Sequence, residues 1–268
     1  METIADKHSR LSQLRPLAPA AVRSLAEAWD VRMVYESNSI EGNTLTLRET
    51  EVVLSKGVTV SGKPLKDHVE AVNLAKAWER VKELARAGAS FSERDLLDLH
   101  RIILTGVEDH FAGSYRTSAV RIAGANLIPP NPVKVPDLME RLFATLAESS
   151  DPVDRAVKLH HGIAAIHPFS DGNGRAARLG MNFVLLAAGY PPVSISPQLR
   201  TDYYTALEAA DSGDFQTWKN FIIQRLGEEF DFWLEALEET QDPRLQDARP
   251  DPGSSKRSPS LGSSSLES

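Results

Sequence analysis

Apolar residues recur at helical spacing along most of the chain. In "LAPAAVRSLAEAWDVRMVYESNSIEG" (17–42) the pattern predicts a helix that stops at Gly42. "TLRETEVVLSKG" predicts a second, with Thr44 or Thr46 as N-cap and an end near Gly57. "KDHVEAVNLAKAWERVKELARAG" and "SERDLLDLHRIILTG" also run into glycines, and Ser92 before Glu93 marks a helix start. The period then changes. In "YRTSAVRIAGANLIPPNP" Val120 and Ile122 are two apart, Gly124-Ala125-Asn126 reads as a turn, and Leu127-Ile128 lead into prolines, which predicts a short hairpin.

Helices resume at "VPDLMERLFATLAES" and at "DPVDRAVKLHHGIAAI", where Asp151 suits an N-cap and Pro152 the first helical position. The residue before Pro168 is pushed away from helical angles, so this helix should end near Ile166. "GRAARLGMNFVLLAAG" is apolar almost all round and reads as the buried central helix. Residues 200–239 supply two or three more. The fold class expected is all-α, with a short β-hairpin. No internal repeat is found, and the Ser- and Pro-rich end, residues 241–268, is expected to be disordered.

Composition narrows the function classes. The 268 residues suffice for one sizeable core with a smaller neighbour, or for one helical domain with tails. No run approaches eighteen apolar residues and the N-terminus lacks a signal-peptide core, so a cytoplasmic protein without membrane contact is expected. With no cysteine there is neither disulfide nor thiolate metal site. A net charge of −7 speaks against a nucleic-acid partner, yet leaves room for a local cationic pocket.

The candidate chemistry is concentrated in "HPFSDGNGRAAR", residues 167–178. It falls between two predicted helices, so Gly172-Asn173-Gly174 open the buried one. Free N–H groups and the positive dipole end make an anion site there, and glycines let a phosphate come close. Arg175 and Arg178, three apart, share a helix face and could clamp a polyphosphate. Asp171 is a hard oxygen ligand suited to Mg²⁺ together with phosphate oxygens. His167 can accept a proton at neutral pH. Pro168 ends a helix, and Phe169 anchors the loop.

This stretch resembles the Fic motif, His-Pro-Phe-x-Asp/Glu-Gly-Asn-Gly-Arg-x-x-Arg, at every fixed position. The hairpin "GSYRTSAVRIAGANLIPP" looks like that family's flap, and the region around "YPPV" and "DYYTALEAADSGDF" like its C-terminal part. The resemblance implies a helical lead-in over 1–29 and a Fic domain over 30–235. It also implies transfer of AMP from Mg²⁺-bound ATP to a Tyr, Ser or Thr hydroxyl of a target protein. His167 would be the base and Asp171 the metal ligand. Nucleotide contacts would come from Asp171, Gly172, Asn173, Gly174, Arg175, Ala176, Ala177 and Arg178, from Tyr203 and Tyr204 at the base, and from Ile122, Gly124 and Ala125 in the flap. "SNSIEGN" resembles the family's inhibitory motif, with Ser37 and Glu41 four apart on a helix spanning about 30–42. Glu41, itself in an unfavourable place at a helix C-terminus, would pair with Arg178 and occupy the γ-phosphate's position. Removal of AMP from modified proteins with Glu41 orienting water, and a silent regulatory module, are the alternatives. Self-modification and a homodimer stay open.

Other features carry less. "GVTVSGKP" imitates a phosphate-binding loop, but Pro64 replaces the required hydroxyl and the preceding segment reads as helix. His160 and His167 would lie about 10 Å apart along a helix, too far to share an ion. His161 reads as a core or supporting histidine. Tyr203 and Tyr204 also suit ordinary packing. Asp211 stands where some Fic proteins carry a nucleotide-contacting asparagine. Arg116 and Arg121 flank the hairpin, with a surface salt bridge and a substrate contact equally open.

Overall fold

The computed structural model describes residues 2–14, 19–88, 90–122 and 127–241. Ten α-helices are found among them. α1 (Ile4–Gln13) and α2 (Pro19–Ile40) are followed by α3 (Leu47–Lys56), α4 (Leu65–Arg86) and α5 (Glu93–Leu104). Next come α6 (Val135–Glu148), α7 (Pro152–Ile166) and α8 (Asn173–Ala187). α9 (Arg200–Asp211) and α10 (Phe215–Gln241) close the series.

Local chemistry explains most of these boundaries. Thr46 and Ser92 each accept from the backbone three residues on and receive a carboxylate in return, from Glu49 and Asp95, so both helices open on capping boxes. Asp151 accepts from Val153 N at 2.9 Å, with Pro152 in the first turn of α7. Gly42 and Gly57 adopt left-handed angles, φ 95° and 64°, where α2 and α3 end. The expected division at residue 29/30 falls inside α2, which runs on unbroken.

α8 is the central element. It packs on α7, α4, α5 and α2, and its residues feed two apolar clusters. Ala176, Ala177 and Phe183 join Trp29, Trp78, Leu99 and Phe169 in one. Met181 and Leu185 join Ile40, Tyr203, Trp218 and Phe230 in the other. Apolar residues on several faces of α8 account for its burial, and its buried Asn173, Arg175, Arg178 and Asn182 each find a partner.

The hairpin is a correction. Among the described residues no strand is formed: the chain on either side of 123–126 is irregular, and those four residues lie outside the description. Pro129 and Pro130 bring no N–H to a ladder. The carbonyls of Ser118 and Pro130 are already taken by Arg116, at 3.0 and 2.6 Å. Residues 242–268, expected to be disordered, also lie outside the description. Among the described residues no helix is long and apolar enough to cross a membrane.

The phosphate-loop imitation fails as its context implied. A helix, α3, precedes it, and Lys63 is turned back to the carbonyl of Thr44 and to Glu49.

Candidate active site

α7 ends and α8 begins around the loop 167–172, and this junction sets the site. His167 closes α7 in a left-handed conformation, φ 50° and ψ 59°, the one non-glycine residue with positive φ among those described. Such a residue carries about 1 kcal/mol of strain or more, so its surroundings must hold it. They do so through Arg116. This side chain is 3% exposed, donates from Nε to the His167 carbonyl at 2.8 Å, and its own N–H reaches Pro168 O at 2.9 Å. Arg116 is therefore a buried strut between the loop and the segment expected as a hairpin, and not a surface ion pair; burial pushes its pKa down. Arg121 is exposed.

Phe169 is fully buried, stacked on His100 with ring centroids 3.6 Å apart. The His100 ring accepts from Gly113 N at 3.0 Å and so presents its Nε2–H to the Asp171 carbonyl at 2.9 Å. Burial lowers its pKa to about 4, which keeps it neutral. Asn173 closes the loop from the other side: its amide accepts from Phe169 N at 2.8 Å and donates to Phe169 O at 2.9 Å. Gly172, with φ 77°, holds a left-handed conformation that strains any larger residue, and a Cβ there would lie 3.3 Å from the His100 ring, a tight contact.

The first turn of α8 is thereby aimed at a cavity of about 410 Å³. The N–H groups of Asn173, Gly174 and Arg175 precede the first intrahelical bond, from Ala176 N to Gly172 O at 2.9 Å. His167, Asn173, Gly174 and Arg178 line the cavity together with Glu41, Tyr203, Tyr204 and Ile122. The His167 ring hydrogen bonds to Ala164 O at 3.3 Å through Nδ1. A carbonyl only accepts, so Nδ1 carries the proton and Nε2 the lone pair. Burial, with the Arg116 charge adding to it, lowers the His167 pKa below its ordinary 6.5, and the ring is neutral at physiological pH.

Glu41 lies at the mouth of this anion cradle. Its Oε1 accepts from Arg178 Nη2 at 2.7 Å, and a Cβ on Gly174 would run into that oxygen. Glu41 follows the last residue of α2, where its own helix dipole disfavours it; the positive end of α8 and the Arg178 charge offset that. Arg178 is 4% exposed and well satisfied. Its Nε donates to Ser37 Oγ at 2.8 Å, Nη2 to Ser37 O at 2.9 Å, and Nη1 to the Tyr203 hydroxyl at 3.4 Å. Burial opposes its charge, but Glu41 overcomes this and the guanidinium pKa is raised. Tyr203 in turn bonds His160 Nε2 at 3.0 Å, so His160 is the fully buried histidine of the pair.

The remaining expected residues are placed as follows. Arg175 is 1% exposed and held 3.2 Å from Glu70 and 3.3 Å from Asp171, outside the lining of the cavity. Ala176 and Ala177 are fully buried in the first apolar cluster, so they shape the helix and do not face the cavity. Gly124 and Ala125 lie outside the described residues. Tyr204 lines the cavity with the Arg200 guanidinium 5.1 Å above its ring. His161 is half-buried and bonded to Asp211 at 2.9 Å. No group of three His, Asp or Glu side chains that could hold a metal occurs among the described residues. Asp171, with Oδ1 bonded to Gly172 N at 2.6 Å and the side chain 46% exposed, suits a hard cation as one ligand among several supplied by a phosphate.

Sequence reasoning missed four supports. His100 and Glu70 carry the loop and Arg175. Asn43 ties the end of α2 to Glu70 at 3.0 Å, and Arg200 Nε caps the Ile40 carbonyl at 3.0 Å. Only their residue types were visible along the chain, since each partner is distant in sequence.

Residues 90–185 match the Fic/DOC family. The protein adenylyltransferase Fic of Culex quinquefasciatus is 36% identical over 247 residues, 90% of this chain and 49% of that protein. Its namesake in Drosophila ananassae is 34% identical over 238 residues, 87% of this chain and 47% of that one. This chain thus spans about half the length of these curated relatives. Among solved structures, a Fic domain containing signaling protein from Bacteroides thetaiotaomicron superposes with a TM-score of 0.82 at 28% identity, covering 88% of this chain and 98% of that chain. Fic-1 from C. elegans gives 0.77 at 28% identity, over 89% of this chain and 72% of that one. The loop at 167–178 and the helices that hold it lie in the segment, residues 90–185, that matches the Fic/DOC family, and the chain is similar to these Fic proteins in sequence and in fold.

Proposed function

We propose that the chain transfers AMP from Mg²⁺-bound ATP to a Tyr, Ser or Thr hydroxyl of a target protein, and that Glu41 restrains it. One observation carries this reading: a neutral His167 shares a cavity with the N-terminus of α8 and Arg178, and Glu41 stands where an anion would bind. Relatives named protein adenylyltransferase Fic, 34–36% identical, support it.

In the reaction the target hydroxyl oxygen attacks the α-phosphorus, the bond to the pyrophosphate oxygen breaks, and pyrophosphate leaves. His167 Nε2 takes the hydroxyl proton, Nδ1–H being held by Ala164. The amides opening α8 stabilise charge on the phosphate oxygens at no reorganisation cost. Asp171 would hold Mg²⁺, which supplies charge neutralisation on the phosphates. Arg178 would receive the terminal phosphate once Glu41 withdraws. Tyr204 and Ile122 offer surfaces to the base. Arg175, buried against Glu70, acts by orienting Asp171 and the first turn of α8.

Glu41 lowers activity because its carboxylate competes for Arg178 and for the space above Gly174. The test uses labelled ATP and Mg²⁺ with the parent chain, Glu41→Gly, and Glu41→Gly carrying His167→Ala. More labelled protein with Glu41→Gly, lost on adding His167→Ala, is expected. Equal labelling by all three overturns the reading. Glu41 is 31% exposed and lines the cavity, which also suits orienting water to remove AMP. Incubation with an AMP-modified target, without ATP, separates that activity.

A further inference from the structure

A second cavity, of about 430 Å³, opens between α6, α7, α8 and the segment leading into α5. It shares no lining residue with the cavity at His167. Its size lies within the range of small-molecule sites. Three aromatic rings form much of the wall: Phe91 stacks on Phe183 with centroids 4.8 Å apart and tilts against Phe143 at 6.0 Å. Leu159 extends the apolar surface, and none of the lining residues is acidic.

One charged side chain, Arg155, lines this wall. Among the described residues it has no ion pair, and its Nε is buried without a hydrogen-bond partner. The nearby carboxylates are engaged elsewhere. Asp151 caps α7 by accepting from Val153 N, and Asp154 is held by Lys158 and Lys219. A guanidinium half-withdrawn from water with no counter-charge seeks an anion, and the aromatic wall beside it favours an apolar body on that anion.

We propose that this cavity binds a small organic monocarboxylate with an aromatic or short aliphatic body, its carboxylate held by Arg155. The site is separate from the AMP-transfer reading and stands or falls without it. The probe is hydrocinnamate, titrated calorimetrically into the full chain, with hydrocinnamyl alcohol as its uncharged counterpart. Saturable binding of the carboxylate is expected, about tenfold or more weaker for the alcohol and for Arg155→Gln, as loss of a charge-assisted bond implies. Ala187→Trp, at the exposed rim, should block it, and saturating ATP should leave it unchanged. The comparison of carboxylate with alcohol needs no variant, so a folding defect cannot obscure the result. The proposal is overturned by no saturable binding, by equal binding of acid and alcohol, or by displacement with ATP. It is also overturned if Ala187→Trp only changes the oligomeric state, which would assign the cavity to a second copy.

Discussion

At the scale of single residues, His167 shows how environment sets chemistry. Its ordinary pKa lies in the range where neutrality is incomplete, and burial lowers it. A base with a lowered pKa is in its working form at neutral pH and is lost only when pH falls through the lowered value. In the Glu41→Gly background, the AMP-transfer rate should therefore stay level on acidification past the ordinary 6.5 and fall only below it. A midpoint at or above 6.5 in the pH–rate profile would contradict the assignment of Nε2 as base. Arg116 is the second case. It holds a strained His167 carbonyl and two further carbonyls while buried. Arg116→Met leaves those carbonyls unpaired, so a loss of about 2–4 kcal/mol in denaturant unfolding is expected, together with loss of activity. The sequence marked Arg116 as flanking the expected hairpin but not as a buried support, because an arginine's burial depends on which carbonyls the fold gathers around it.

At the scale of elements, α2, α7 and α8 divide the work. α8 provides the anion cradle, α7 delivers His167, and the end of α2 delivers Ser37 and Glu41 to Arg178. The start and stop signals of α2, α3, α5 and α7 were legible: Gly42, Thr46, Gly57, Ser92, Asp151 and Pro152 each act as their types suggest. The cap at Asp151 lies at the far end of α7 from His167. Asp151→Ala should lower stability by about 1 kcal/mol and leave the ATP-dependent rate unchanged. A drop in rate at unchanged stability would show that the register of α7 is less firmly held than its packing implies. The hairpin was misread at this same scale. A period of two over Val120 and Ile122 marks alternating exposure, which an irregular segment pinned by Arg116 satisfies as well as a strand does.

At the scale of the whole molecule, the Glu41–Arg178 pair couples two distant parts of the chain. Removing one partner of a largely buried pair is destabilising, and the partial exposure of Glu41 reduces the effect. Glu41→Gly should lower the ligand-free stability by about 1–3 kcal/mol, and ATP with Mg²⁺ should raise its melting temperature more than that of the parent chain. Equal shifts in both proteins would show that Glu41 does not compete with the nucleotide. The buried histidines set the acid limit. His100 and His160 have folded-state pKa values below their ordinary 6.5, to about 4 for His100. The unfolded chain binds protons that the folded one refuses, so stability should decline as pH falls from about 6.5 towards about 4. Thermal unfolding across that interval checks it, and His100→Asn should flatten part of the slope.

The sequence by itself determined the helical class, the order and ends of most helices, and the chemical inventory of residues 167–178. Each of these depends on residues close together in the chain: apolar period, caps, glycines, and the types packed into one loop. The tertiary structure alone decided that Arg175 is sealed against Glu70, outside the cavity that Arg178 lines, and that His100 and Arg116 support the loop, whereas the approach of Glu41 to Arg178 was already implied by the resemblance of "SNSIEGN" to an inhibitory motif. Those outcomes depend on which helices pack against α8. Burial and charge pairing are set by neighbours far along the chain, and a local pattern does not record them.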